Sequence, residues 1–84
     1  MEILKFYSPT CGPCKVLEKK LDEEKINYTN VDVTLSESAD NISKYRVTTI
    51  PTLVVTENAQ EVKRYHGILN TEQLKELKEL CNIL

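Results

Sequence analysis

The sequence predicts a single α/β domain with a four-stranded mixed sheet and helices on both faces of that sheet. Strand-like and helix-like segments alternate in the order β-α-β-α-β-β-α along 84 residues. In the first half, one helix separates two strand segments, which implies a parallel pair with a right-handed crossover. In the second half, two strand segments flank a short polar turn and form a predicted hairpin, and a helix follows them.

The first half begins with a predicted strand at residues 3–7, which should be central in the sheet. A helix is predicted from Pro13 to about residue 25, because a proline fits at the first helical position. Its apolar stripe consists of Cys14, Leu17 and Leu21. Its other faces carry the charged residues Lys15, Glu18, Lys19, Asp22 and Glu23. The second strand is predicted at residues 27–33.

The second half is predicted to contain a helix, the hairpin and a final helix. Thr34 or Ser36 should cap a helix at about residues 37–45. The hairpin strands are predicted at residues 52–56 and 61–65. Asn70 or Thr71 should cap the final helix, whose inward-facing stripe consists of Leu74, Leu77, Cys81 and Leu84.

Composition and charge exclude several functional classes. Lys and Arg total 11 against 13 Asp and Glu, a formal net charge of -2, which argues against a nucleic-acid-binding protein. No apolar run is long enough to cross a membrane, and no leader-like segment precedes the first strand, so we expect a cytoplasmic protein. Structural disulfides are not expected in that compartment, and the three cysteines need another explanation.

Cys11-Gly12-Pro13-Cys14 places two thiols at the start of the first helix. This spacing allows Cα atoms roughly 5–6 Å apart, the favoured span for a disulfide. Cys11 faces the free N–H groups and the positive end of the helix dipole, which favour its thiolate, whereas Cys14 lies on the apolar stripe. The pair therefore predicts thiol–disulfide exchange with Cys11 as the nucleophile and Cys14 as the resolving thiol. Pro13 stiffens the turn, and Gly12 leaves room for a partner backbone.

Two other interpretations of the pair remain open. One is half of a zinc site that Cys81 and His66 would complete, which requires ligands from a hairpin end and the last helix to converge. The other is a non-catalytic module in which the cysteines have no chemistry. Cys81 lies on a core stripe and the sequence has no second Cys-x-x-Cys, so both interpretations are less favoured than exchange.

Motifs along nearly the whole chain resemble the thioredoxin family. The Cys-Gly-Pro-Cys sequence at residues 11–14, after a first strand, is the active-site motif of that family. The Thr-Ile-Pro-Thr sequence at residues 49–52 resembles its cis-proline loop, and Gly67 resembles the glycine before its last helix. The resemblance implies a minimal thioredoxin fold and a protein that reduces disulfides in partner proteins.

The resemblance also implies roles for residues around the cysteines. Ile50 and a cis Pro51 would contact an extended substrate segment, and Thr10 and Gly67 would border the same groove. The implied partners are disulfide-containing proteins and a thioredoxin reductase or a similar electron donor. We expect a monomer with no cofactor, metal, nucleic acid or membrane partner.

The chain departs from the family at several points. It contains no Trp, and Thr10 stands where thioredoxins usually have one. It lacks the family's additional N-terminal strand and helix, so its size resembles a glutaredoxin. Glutaredoxins usually hold glutathione with a Gly-Gly pair and an Asp, whereas residues 66–70 here are His-Gly-Ile-Leu-Asn. A glutathione-dependent reductase is therefore the alternative, and His66 is either an acid–base group or a partly exposed hairpin-end residue.

Lys5 lies on the predicted central strand, where thioredoxins commonly have a buried Asp. Strand alternation places Ile3, Lys5 and Tyr7 on one face of the sheet. An ammonium group at the rim would stabilise the Cys14 thiolate, and a desolvated neutral amine could accept the proton of Cys14. The alternative is a lysine that reaches plain solvent. Lys5 is therefore a candidate proton-transfer or thiolate-stabilising residue.

Overall fold

The computed structural model describes residues 1–83, and its elements follow the predicted order. The elements are β1 (Glu2–Tyr7), α1 (Gly12–Glu23), β2 (Thr29–Asp32), α2 (Ala39–Lys44), β3 (Thr52–Glu57), β4 (Gln60–His66) and α3 (Thr71–Ile83). A short 3₁₀ turn at Ser36–Ser38 precedes α2. None of the described helices is long and apolar enough to cross a membrane.

The four strands form one sheet in the order β2-β1-β3-β4. β1 pairs in parallel with β2 and antiparallel with β3, so the mixed sheet and its central first strand are confirmed. β3 and β4 form the predicted hairpin. Asn58 and Ala59 have positive φ angles of 53° and 64° in its turn, a conformation whose twist matches that of the flanking strands.

Alternation along β1 divides the core between the two faces of the sheet. Ile3 points to the face that α1 and α3 cover, in a cluster with Leu17, Leu21, Ile26, Leu53, Val55, Tyr65, Leu69 and Leu77. Leu4 and Phe6 point to the opposite face, where α2 packs, in a cluster with Val31, Tyr45, Val47 and Val54. Both faces are therefore covered by helices, as predicted, and the apolar stripe of α1 is buried.

β2 and α2 are shorter than predicted, and the predicted cap of α2 is wrong. The carboxylate of Asp32 accepts hydrogen bonds from the backbone N–H and the hydroxyl of Thr34, at 2.9 and 2.6 Å. These bonds turn the chain directly after β2, because Asp side chains compete with regular structure for nearby backbone groups. Neither Thr34 nor Ser36 caps α2, which begins at Ala39 after the 3₁₀ turn without a side-chain cap.

Asn70 caps α3, and it is one of the two residues predicted for this position. The backbone N–H of Gln73 donates to Oδ1 of Asn70 at 2.8 Å, and the backbone N–H of Asn70 donates to Oε1 of Gln73 at 3.0 Å. This reciprocal pair satisfies two N–H groups at the helix start. In the predicted stripe, Leu77 is buried and Leu74 and Cys81 pack against the core, whereas Leu84 lies outside the described residues.

A hydrogen bond between β4 and α3 makes the folded state sensitive to acid. The hydroxyl of Tyr65 donates to Oε1 of Glu76 at 2.6 Å, and Nζ of Lys63 lies 3.3 Å from the same oxygen. The Tyr65 hydrogen bond, and then Lys63, lower the pKa of Glu76. A carboxyl group whose pKa is lower in the folded protein stabilises it above the unfolded pKa, and that contribution is lost as the pH falls through the folded pKa.

We expect Tyr65→Phe to raise the pKa of Glu76 towards its usual value, because the main hydrogen bond to the carboxylate is removed. The variant should then lose less stability than the parent protein as the pH falls below about 4. NMR titration of the Glu76 carboxyl and urea unfolding at a series of pH values measure both effects. Glu79→Gln, an exposed change on the same helix, is the control. An unchanged Glu76 pKa in Tyr65→Phe would contradict the prediction.

Candidate active site

The Cys11–Cys14 pair lies where the chain leaves β1 and enters α1. The backbone N–H of Cys11 donates to the carbonyl of Ser8 at 3.2 Å, which closes a turn directly after the strand. Cys11 is the N-cap of α1, and its Sγ accepts a hydrogen bond from the backbone N–H of Cys14 at 3.1 Å. The two residues form a disulfide with Cα atoms 5.2 Å apart, within the predicted span.

The two cysteines differ in their exposure to solvent. Cys14 is 2% exposed and continues the buried stripe of α1, whereas Cys11 is half-buried at the outer end of the helix. After reduction, a thiolate on Cys11 would keep the Cys14 N–H as a donor and would lie at the positive end of the helix dipole. The arrangement therefore favours attack by Cys11 and holds Cys14 back from external disulfides.

The cis-proline loop lies at the same end of the sheet. The Ile50–Pro51 peptide bond is cis, as predicted, and Thr52 directly after it pairs with Phe6 near the end of β1. The backbone N–H of Gly67 donates to the carbonyl of Pro51 at 2.8 Å. Gly67 has a φ of +72°, a conformation that favours glycine. Strand pairing thus brings the cis-proline loop and Gly67 to the C-terminal end of β1, which the Cys11–Cys14 disulfide follows in the chain.

The solvent side of this region is open. Thr10, Gly12 and Pro13 are exposed, and a Cβ atom added to Gly12 would meet no atom within 4 Å. This space fits the predicted approach of a partner backbone. Val16 and Ile68, which lie close in sequence to Cys14 and Gly67, are also exposed.

The structure does not bring together the ligands of the zinc alternative. His66 lies at the end of β4, with Nδ1 3.5 Å from Oγ1 of Thr52. Cys81 instead lines a cavity of about 420 Å³ beside Met1 and Glu2, at the start of β1 and away from the disulfide. Within residues 1–83, no group of three or more His, Cys, Asp or Glu side chains could hold a metal ion. The zinc interpretation is therefore not favoured.

Lys5 is fully buried, so the alternative in which it reaches plain solvent is wrong. Its Nζ donates to Oε2 of Glu18 on α1 at 2.6 Å. The same ammonium group lies 5.0 Å from the ring centroid of Tyr7 and 4.7 Å from that of Tyr28. Two aromatic faces and one carboxylate thus replace water around the charge. The predicted face of β1 is confirmed, but the contact with Glu18, which was predicted only as one of the charged residues outside the apolar stripe of α1, was not predicted.

Comparisons with known proteins identify the family. The family model for thioredoxin matches residues 1–79. The chain belongs to the thioredoxin family. Thioredoxin from Echinococcus granulosus is 40% identical over 77 residues, which cover 86% of this chain and 69% of that protein. Thioredoxin from Bacillus subtilis is 35% identical over 78 residues, which cover 86% and 73%. The X-ray structure of Fasciola hepatica thioredoxin superposes with a TM-score of 0.73 at 27% identity, covering 92% of this chain and 77% of that one.

Family membership and the disulfide together give the general activity. This member of the thioredoxin family is a thiol–disulfide oxidoreductase of the protein-disulfide reductase type. Thioredoxins generally reduce disulfide substrates and are reduced in turn by thioredoxin reductase. The non-catalytic alternative is therefore not favoured.

In the reduced protein, we expect iodoacetamide to modify Cys11 before Cys14 and Cys81 at neutral pH. Of the two thiols at the helix N-terminus, Cys11 is the more accessible, because Cys14 is buried. Burial also raises the pKa of Cys81, which makes its thiol less reactive. Mass spectrometry of peptides after short, substoichiometric labelling gives the order of modification. Labelling after denaturation is the control and should make the three thiols equally reactive. Modification of Cys14 before Cys11 in the folded protein would contradict the assigned asymmetry.

Proposed function

We propose that this protein reduces disulfides in partner proteins, with Cys11 as the nucleophile and Cys14 as the resolving thiol. The observation that carries the proposal is the disulfide itself, which joins a half-buried N-cap residue to a buried residue one helical turn inside. Only one of the two sulfurs can meet an external disulfide without unfolding the helix.

The reaction proceeds through two exchanges. The Cys11 thiolate attacks one sulfur of the target disulfide, the target S–S bond breaks, and the other target sulfur leaves and takes up a proton. Cys14 then loses its proton and attacks Sγ of Cys11, and the bond between Cys11 and the target breaks. The products are the reduced target and the Cys11–Cys14 disulfide, so two electrons have moved to the target.

We propose that the substrate segment lies along the cis-proline loop. No hydrogen bond within residues 1–83 engages the backbone of Ile50, which leaves its N–H and carbonyl groups for an extended partner chain. Pro51 is buried beneath it, and its carbonyl is already bonded to Gly67. Thr10 would border the same substrate segment, and its small side chain leaves more space for that segment than a tryptophan would.

A thioredoxin reductase is the proposed electron donor, and glutathione is the alternative. Residues 66–70 lack the Gly-Gly pair and the Asp with which glutaredoxins hold glutathione, which supports the reductase. Reduction of partner proteins requires surroundings in which the pair is kept reduced, so we propose that the protein works in the cytoplasm.

Substitution of the two cysteines should have different effects. Cys11→Ser should abolish insulin reduction with dithiothreitol as donor, because no thiolate is left at the helix N-terminus. Cys14→Ser should still attack the target but accumulate a mixed disulfide on Cys11, because the second exchange has no thiol. Non-reducing electrophoresis and mass spectrometry detect the adduct, and Cys81→Ser is the control with unchanged turnover. An adduct that forms on Cys14 in Cys11→Ser, at the same rate, would overturn the assigned roles.

The two electron donors can be separated by measuring how fast the oxidised protein is reduced. We expect a thioredoxin reductase with NADPH to reduce the Cys11–Cys14 disulfide faster than glutathione with glutathione reductase does. Each system is run with matched NADPH, and NADPH oxidation is followed at equal protein concentration. Cys11→Ser gives the background of both systems. Faster recycling by glutathione would favour the glutaredoxin-like alternative.

A further inference from the structure

The buried charge of Lys5 needs an explanation other than stability. Its side chain is 0% exposed, on a strand whose other inward residues are apolar. Removing an ammonium group from water costs several kcal/mol, and an apolar residue of similar volume is often as stable or more stable than a buried ion pair. The contact with Glu18 therefore compensates for a cost that an apolar side chain would not have.

Glu18 lies one helical turn after Cys14 on α1. Residues four apart on a helix have Cβ atoms about 5–6 Å apart, and long helical side chains lean towards the preceding turn. The carboxylate of Glu18 is thus directed towards the turn that contains the resolving thiol. Of its two oxygens, only Oε2 has a hydrogen-bond partner within the described residues, and the side chain is 47% exposed. Water can therefore reach the carboxylate, which is one helical turn from the residue that carries the buried thiol.

We propose that Glu18 accepts the proton of Cys14 during the second exchange, directly or through one water molecule, while Lys5 holds the carboxylate in place. This proposal rests on the proposed function, in which Cys14 is the resolving thiol. The S–H bond of Cys14 breaks, its proton passes to Oε1 of Glu18, and the electron pair stays on sulfur. The Cys14 thiolate then attacks Sγ of Cys11, the target leaves as a thiolate, and the proton on Glu18 passes to the target or to solvent.

Conservation of charge within the cluster explains why the ion pair suits this step. Before the transfer, the cluster holds an ammonium group, a carboxylate and a neutral thiol, with a net charge of zero. After the transfer, it holds the same ammonium group, a neutral carboxyl group and a thiolate, and the net charge is still zero. Direct loss of the proton to solvent would instead leave two anions and one cation, so the new charge on the buried Cys14 sulfur would have no compensating change nearby, which is costly.

The other groups around the cluster do not compete for this role. Tyr28 donates its hydroxyl to Asp22 at 2.9 Å, and burial, followed by that hydrogen bond, raises the pKa of Tyr28, which therefore stays neutral. Tyr7 contributes its ring face. The neighbours of Lys5 on the adjoining strands are not ionisable: Leu53 on β3 and Asn30 on β2. The core residues on the same face of the sheet include Tyr65 on β4, Leu69 and, on α3, Leu77; the Tyr65 hydroxyl is bound to Glu76.

Stopped-flow reaction of the reduced protein with an aromatic disulfide that releases a coloured thiolate separates the two exchanges. The first phase depends on reagent concentration and reports attack by Cys11, and the second is independent of concentration and reports resolution by Cys14. In a Cys81→Ser background, we expect Glu18→Gln to leave the first phase unchanged and to slow the second about 100-fold at pH 7. The difference should shrink as the pH rises, because hydroxide can then take the proton of Cys14 without an acceptor from the protein.

Three further variants make the test decisive. Glu23→Gln changes an exposed carboxylate on the same helix and should leave both phases unchanged. Lys5→Met should also slow the second phase, and the double variant with Glu18→Gln should be no slower than the slower single variant if the two residues act as a unit. Circular dichroism and urea unfolding show whether each variant is folded. If Lys5→Met does not fold, Glu18→Gln alone still tests whether Glu18 accepts the proton.

The outcomes distinguish this proposal from the proposed function. A second phase in Glu18→Gln equal to that of Glu23→Gln at every pH would overturn the role of Glu18 and leave the cysteine assignments intact. A first-phase adduct located on Cys14 by mass spectrometry would overturn the cysteine assignments themselves. A second phase that is slowed equally at all pH values would show a structural effect and would also overturn proton transfer by Glu18.

Discussion

The position of β1 between a parallel and an antiparallel neighbour constrains the rest of the structure. Its backbone is paired on both edges and its side chains are covered on both faces, so it cannot shift without breaking two ladders and two clusters of core residues. The end of β1 is therefore a fixed point. The turn from Ser8 to Cys11 starts there, and the first N–H groups of α1 follow at once. A rigid strand thus sets where the reactive sulfur lies.

The same pairing explains how residues that are distant in sequence form one site. Phe6 pairs with Thr52, and Thr52 pairs with His66 on the next strand, so three chain segments end at one edge of the sheet. Pro51 and Gly67 are the residues next to those pairs, and a hydrogen bond joins them. The meeting of these segments at one edge of the sheet therefore follows from strand register, and a shift of one residue would point their side chains to the opposite face.

The sequence predicted the parts of the structure that depend on local patterns. The stripe of α1, the alternation of β1 and the cap at Asn70 follow from periodicity and from side-chain chemistry within a few residues. The start of α2 was predicted wrongly because Asp32 binds Thr34, and a choice between two local hydrogen-bond patterns is decided by small energies. The contact between Lys5 and Glu18 joins a strand to a helix, and no local pattern contains it.

The pairing of Lys5 with a carboxylate also bears on the direction of the redox reaction. A lone buried cation would stabilise a nearby thiolate and hence the reduced form, and a protein whose reduced form is stabilised is a stronger oxidant and a weaker reductant. The carboxylate of Glu18 opposes that field while the cysteines are joined as a disulfide, because the pair has no net charge. The proton transfer proposed for Glu18 removes the opposing charge only when Cys14 ionises. The ammonium group would then favour the thiolate during the exchange without giving the same advantage to the resting dithiol. The pair can in this way speed the release of the reduced target while the protein remains a reductant.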